Sequence, residues 1–205
     1  MATYLLAYNR FMASRFCCKF KKVGELMADI IKKNIVLIGF MGVGKSIVGR
    51  NLAALLEYDF FDIDAAIEEA TGLPLRDVVR RYGNLRWVSE EHLAVEKSLL
   101  VQPRVIATGI NTLQNEKNCR LLKENGYVVL LEASPNLIFE RIIRKGNRYF
   151  LPPKATEKMV AKMLKDYKET YRNQANLIIW VENQKVEDVA KEIQQEYAKA
   201  NGINY

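Results

Sequence analysis

The stretch Asn34-Ile35-Val36-Leu37-Ile38-Gly39-Phe40-Met41-Gly42-Val43-Gly44-Lys45-Ser46 decides the fold. Ile35–Ile38 is an apolar run without polar alternation, as a parallel strand covered on both faces requires. It runs directly into Gly39-x-x-x-x-Gly44-Lys45-Ser46, and helical spacing begins at Lys45. A glycine-rich turn between a strand and a helix is the context in which this pattern binds phosphates. Its glycines let the backbone turn tightly and aim N–H groups at phosphate oxygens, and the positive end of the helix adds to them. Gly39, Met41, Gly42, Val43, Gly44, Lys45, Ser46 and Ile47 are therefore the candidate nucleotide-binding residues. Lys45 is expected on the β- and γ-phosphates and the Ser46 hydroxyl on Mg²⁺, so the expected ligands are ATP and Mg²⁺. A glycine-rich turn with an incidental lysine is the competing reading, and it leaves the preceding buried strand unexplained.

On the carboxyl side of this stretch the chain alternates between short β-rich runs and longer amphipathic segments. Strand-like runs recur at Arg104–Ala107, Tyr127–Leu131 and Leu177–Val181, with a weaker one at Asp59–Phe61. Helical spacing covers 45–57, several pieces between 64 and 100, then 115–124, 135–145, 156–174 and 186–199. Such alternation means βαβ units, right-handed crossovers and a parallel sheet, hence an α/β fold.

Composition bounds what this fold can be. At 205 residues and 49% hydrophobic content the chain can bury one substantial core. No apolar run approaches the roughly 18 residues that cross a bilayer. The three cysteines, Cys17, Cys18 and Cys119, have neither an even count nor metal-ligand spacing, which fits a reducing compartment. The net charge of +7 is concentrated early: residues 1–26 hold Arg10, Arg15, Lys19, Lys21 and Lys22 against Glu25 alone. The remainder is only mildly basic, which a phosphate-binding domain needs in any case, so no nucleic-acid partner is expected. Residues 1–26 read as an extension and 27–205 as a single domain, because the chain from Met27 opens like a complete cytoplasmic protein. The extension's basic, acid-poor character also suits an organelle-targeting peptide. The expectation is a cytoplasmic monomer.

Asp62-Ile63-Asp64 follows the short run 59–61, at the carboxyl end of the sheet where ligands of such folds collect. Two carboxylates one residue apart on an extended segment project toward the same face. One can hold the metal while the other meets an acceptor hydroxyl and draws its proton. A structural alternative is that Asp64 caps the helix starting at Ala65.

The segments GFMGVGKS (39–46), FFDIDAAIEEATGLPL (60–75) and VIATG (105–109), in order and spacing, resemble the shikimate kinase family over residues 34 to about 195. The resemblance implies a three-layer α/β/α P-loop fold with a five-stranded parallel sheet, a lid and substrate-binding helices. It also implies transfer of the ATP γ-phosphate to a ring hydroxyl of shikimate. Asp62 would support the metal and Asp64 would bind the acceptor hydroxyl. Residues 146–152 resemble the family's lid, with Arg148 reaching the γ-phosphate and Arg141 stacking on adenine. A solvated loop cation is the alternative for Arg148.

The acceptor side departs from that pattern. Val88 stands where the family's Gly-Glu-x-x-Phe-Arg-x-x-Glu places an arginine, in Gly83-Asn84-Leu85-Arg86-Trp87-Val88-Ser89-Glu90-Glu91. Arg86 lies about 200° away on a helix and is no simple substitute. The family's triple glycine is Gly109-Ile110-Asn111, and an expected arginine is Tyr167. Losing one arginine from a partly buried carboxylate contact costs about 2–5 kcal/mol, and Glu91 is left without its balancing cation. Asp64, Val88, Gly109, Ile110 and Tyr167 are thus the candidate acceptor residues, and two further readings arise: a kinase for a less anionic alcohol, or a nucleotide-binding protein without turnover.

His92, Trp87, Trp180 and Cys119 are expected to be structural, with both tryptophans filling the core. The lysine-rich stretch 154–172 reads as one amphipathic helix.

Overall fold

The computed structural model describes residues 33–145, 151 and 154–203. The extension 1–26 and the lid residue Arg148 lie outside these. Residues from Lys33 to Tyr197 form one compact unit. The elements of the described residues are β1 (Asn34–Ile38), α1 (Lys45–Leu56), β2 (Asp59–Asp62), α2 (Ile63–Thr71), α3 (Leu75–Ser98), β3 (Arg104–Ala107), α4 (Glu116–Glu124), β4 (Gly126–Glu132), α5 (Pro135–Lys145), α6 (Glu157–Gln174), β5 (Leu177–Trp180) and α7 (Val186–Asn201).

Five parallel strands run in the order β2-β3-β1-β4-β5. After β1 the chain steps outward to β2, returns to β3, and then crosses to the far side of β1. That reversal places helices on both faces and opens a crevice at the carboxyl ends of β1, β3 and β4. Every residue of β1 is fully buried, which explains its lack of polar alternation. Val36 and Ile38 face one side and join Ile106, Val128 and Leu130 in a core that also holds Ile63, Ile67, Val78, Val95 and Leu122. Ile35 and Leu37 point to the opposite face, following the two-residue period of a strand.

Asn34 ties the outer turns to this sheet. Its side chain accepts from the Arg104 amide at 2.8 Å and donates to the Asn125 carbonyl at 3.1 Å. Within α3, Gly83 leaves helical geometry at φ 77° and ψ 176°, a left-handed φ that glycine adopts without strain, so the helix bends there. The bend makes 84–98 a separate rod and fixes which of its faces meets the crevice.

Two expectations and one structural alternative are corrected here. Trp87 is buried in the core, but Trp180 is half exposed. It belongs to edge strand β5, whose burial alternates, so one face of the strand lacks full cover. The cap of α2 is Asp62, not Asp64: Asp62 Oδ1 accepts from the amides of Asp64 (3.1 Å) and Ala65 (3.3 Å). The helix therefore starts at Ile63, and the Asp-x-Asp pair spans a strand end and a first helical turn instead of one extended segment.

Candidate active site

The turn between β1 and α1 is built on glycines of positive φ, and Gly44, at φ 115°, is the N-cap residue of α1. No acidic residue occupies the first turn of α1, so the helix's positive end stays uncompensated for an anion. Lys45 opens the helix and folds back over the turn, donating its ammonium to the carbonyls of Gly39 (2.7 Å) and Phe40 (3.2 Å). Burial lowers its pKa from the ordinary lysine range, while Asp64 and then Asp62 act to raise it. Arg141 reaches the same turn from α5, donating Nη1 to the Val43 carbonyl at 2.9 Å. Met41 and Gly42 are half-buried on the turn, whereas Ile47 is exposed.

Ser46 Oγ donates to Asp62 Oδ2 at 2.7 Å. A hydroxyl and a carboxylate from α1 and β2 thus converge beside the phosphate turn. Among the described residues no cluster of three or more His, Cys, Asp or Glu could hold a metal. The Ser46 hydroxyl and the Asp62 carboxylate are the two protein oxygens that could hold a cation here, which suits Mg²⁺, an ion that keeps most of its shell for water and phosphate oxygens.

Asp64, in the first turn of α2, has its Oδ1 buried without a hydrogen-bond partner among the described residues. Burial pushes its carboxyl up to about 7, opposed by Lys45 and reinforced by Asp62, Glu91 and Glu68. Glu91 comes from α3 and is itself buried, accepting from Thr112 Oγ1 at 2.8 Å. Burial raises its pKa and the Thr112 bond acts against the rise. Gly109, just beyond β3, is packed by all three side chains. A Cβ there would stand 2.7 Å from Asp64 Oδ1, 3.1 Å from Glu91 Oε1 and 3.1 Å from Thr112 Oγ1.

The opposite wall is aromatic. Tyr171 donates its hydroxyl to the Ile110 carbonyl at 2.5 Å, and Tyr167 donates to Asn111 Oδ1 at 3.0 Å. Their rings stack at 5.7 Å, and Phe40 of the phosphate turn meets Tyr167 edge-on at 5.9 Å. Tyr167 is thus a hydrogen-bonded wall residue where the family pattern calls for an arginine. Val88 is half exposed one turn before Glu91, and Arg86 pairs with Glu90 at 2.5 Å. That pairing engages the cation nearest in sequence to Val88.

Sequence reasoning brought Lys45, Ser46, Asp62, Asp64, Gly109 and Arg141 to this crevice. It missed Thr112 and Asn111, which hold Glu91 and Tyr167. Their roles arise from contacts across 21 and 56 residues, and no local pattern encodes them. His92 and Cys119 are structural here: His92 Nδ1 lies 2.6 Å from Asn118 Oδ1, and Cys119 is a buried thiol whose pKa burial raises. Among the described residues no helix is long and apolar enough to cross a membrane.

A family model for shikimate kinase matches residues 41–198. The chain belongs to the shikimate kinase family. A shikimate kinase of Pelotomaculum thermopropionicum is 43% identical over 139 residues, 68% of this chain and 81% of that protein. One of Thermodesulfovibrio yellowstonii is 36% identical over 83% of this chain and 98% of its own length. Among solved structures, the shikimate kinase of Acinetobacter baumannii in complex with shikimate superposes with a TM-score of 0.78 at 31% identity, covering 82% of this chain and 94% of that one. A gluconokinase of Sinorhizobium meliloti shares the fold at a TM-score of 0.53 and 20% identity. Shikimate kinase family membership thus agrees with the strand order, the phosphate turn and the carboxylates around it.

Proposed function

We propose that this protein transfers the γ-phosphate of ATP to a hydroxyl of shikimate. The observation that carries the reading is the convergence of Lys45, the Ser46–Asp62 oxygen pair and the half-buried Asp64 at the mouth of one parallel sheet. Mg²⁺ bound at Ser46 and Asp62 would supply charge neutralisation to the triphosphate. Main-chain amides of the turn and the end of α1 bind the phosphates, and Lys45 exchanges its carbonyl partners for phosphate oxygens. Asp64 faces the acceptor. Its unbonded Oδ1 is free to accept the hydroxyl proton, and Gly109 leaves the space in which that oxygen stands. Arg141 anchors the turn through the Val43 carbonyl and is assigned the stacking contact with adenine. Arg148 is assigned the role of a closing cation. One chain supplies all these groups, so the reading needs no second subunit to complete the site.

A second reading has its own observation. Val88, Tyr167 bonded to Asn111, and Arg86 paired with Glu90 leave the acceptor wall short of cations for a carboxylate. That wall favours a less anionic alcohol. A nucleotide-binding protein without turnover is the third outcome. Acceptor-dependent ADP release, measured with shikimate and with a panel of neutral cyclic alcohols, separates all three. The first reading expects release with shikimate, the second with a neutral alcohol only. ATP binding with no release from any acceptor overturns phosphotransfer.

A further inference from the structure

We propose that the chain carries a second small-molecule site, in the cavity between α6 and the carboxyl ends of β4 and β5, and that it takes a single apolar ring bearing a carboxylate. The proposal does not depend on phosphotransfer. The cavity has a volume of about 260 Å³. Its floor is apolar: Phe40, Leu130, Leu131 and Ile138 are each buried. The α6 side presents Ala161, Leu164 and Tyr171 at helical spacing. A cavity of about 150 Å³ lined by such side chains accommodates a benzene ring, so this one has room for a ring and a short substituent.

The rim supplies the charge preference. Lys165 and Lys168 lie along the cavity on α6, and both are exposed. The acid at the rim, Glu132, is already engaged, because Arg172 donates Nε to one of its oxygens (2.8 Å) and Nη2 to the other (2.6 Å). Lys168 also acts on Glu132, so a guanidinium and two ammonium groups face one rim carboxylate, and a ligand entering between the lysines is favoured if it brings a negative charge. Trp180 lines the same opening and is half exposed, offering a ring face at the entrance.

The floor is shared with the acceptor crevice. Phe40 touches Tyr167, Tyr167 stacks on Tyr171, and Tyr171 holds the Ile110 carbonyl. Phe40 of the phosphate turn lines the cavity but none of Lys45, Ser46, Asp62 and Asp64 does, so a ligand there stays clear of the side chains assigned to phosphate, metal and acceptor.

The test uses the full chain with ATP and Mg²⁺ present, and ligand-observed saturation-transfer NMR with 3-phenylpropanoate and with 3-phenylpropan-1-ol. The proposal expects both to bind, the acid with a Kd on the order of 0.1–1 mM. The acid should also shift Trp180 emission, an effect absent from Trp180→Phe. Lys165→Ala/Lys168→Ala should weaken the acid about 10-fold and leave the alcohol within about 2-fold. Leu164→Trp, which fills the cavity, should abolish both while ATP binding and melting temperature hold, and Ala161→Leu serves if that variant does not fold. No binding of either probe, displacement of the acid by ATP, or binding indifferent to the lysine pair overturns the site.

Discussion

Ser46 Oγ and Asp62 Oδ2 are joined across 2.7 Å, linking the first turn of the phosphate-binding helix to the end of a strand two positions away in the sheet. The bond places two hard oxygen donors side by side before any metal arrives. Ser46→Ala and Asp62→Asn are each expected to raise the Mg²⁺ needed for half-maximal turnover by about 10- to 100-fold. Because the residues act as one unit, the double variant should cost less than the product of the two, measured as a double-mutant cycle on Mg²⁺ titrations.

Gly109 is set by space. A methyl group there would press on Asp64, Glu91 and Thr112 together. Gly109→Ala should cost about 1–3 kcal/mol of stability and reduce acceptor turnover strongly, while ATP affinity stays near wild type. Thermal melts, nucleotide titration and initial rates on the same preparation check it.

Glu91 carries a pH signature. Its folded pKa lies above that of an exposed glutamate because burial disfavours the charge. Folding therefore favours the protonated form: that contribution is complete below the unfolded pKa and is lost as pH rises through the folded value. Glu91→Gln should accordingly melt at a higher temperature than wild type at pH 8, with the difference shrinking toward pH 4. Thr112→Val, which removes the bond that eases the charged form, should lower stability at pH 8 by about 1–3 kcal/mol.

Val88 tests the acceptor wall directly. It lies half exposed one helical turn from Glu91, the position from which a long cation can reach that carboxylate and an anionic ligand. Val88→Arg is expected to lower the KM for shikimate about 30-fold or more, with kcat changed little. Steady-state kinetics at saturating ATP read both terms.

How much was legible follows from the range of each interaction. β1, the glycine-rich turn and α1 announce themselves because their constraints act within a dozen residues: full burial, positive φ, a helix start. The strand at 104–107 was also read to its ends, and the others to within a residue or so. The alternative that Asp64 caps α2 falls two positions late, since either aspartate satisfies the pattern and only the strand's end decides which one caps the helix. Trp180 was read as core because burial of an edge strand depends on what covers the sheet there. The order β2-β3-β1-β4-β5 and the Thr112–Glu91 bond belong to tertiary contacts that no local period carries. The acceptor wall was half legible: the missing arginines could be seen, but not that Asn111 holds Tyr167 or that Glu90 holds Arg86.

The central claim is phosphoryl transfer from a triphosphate held by this turn to shikimate. Phosphorus NMR of a mixture of protein, ATP, Mg²⁺ and shikimate tests it most directly, run beside Lys45→Ala. The account predicts a phosphomonoester signal that grows in step with ADP and slows about 100- to 1,000-fold in the variant. ATP consumed without a shikimate phosphoester, or an ester formed equally fast by both proteins, would contradict it.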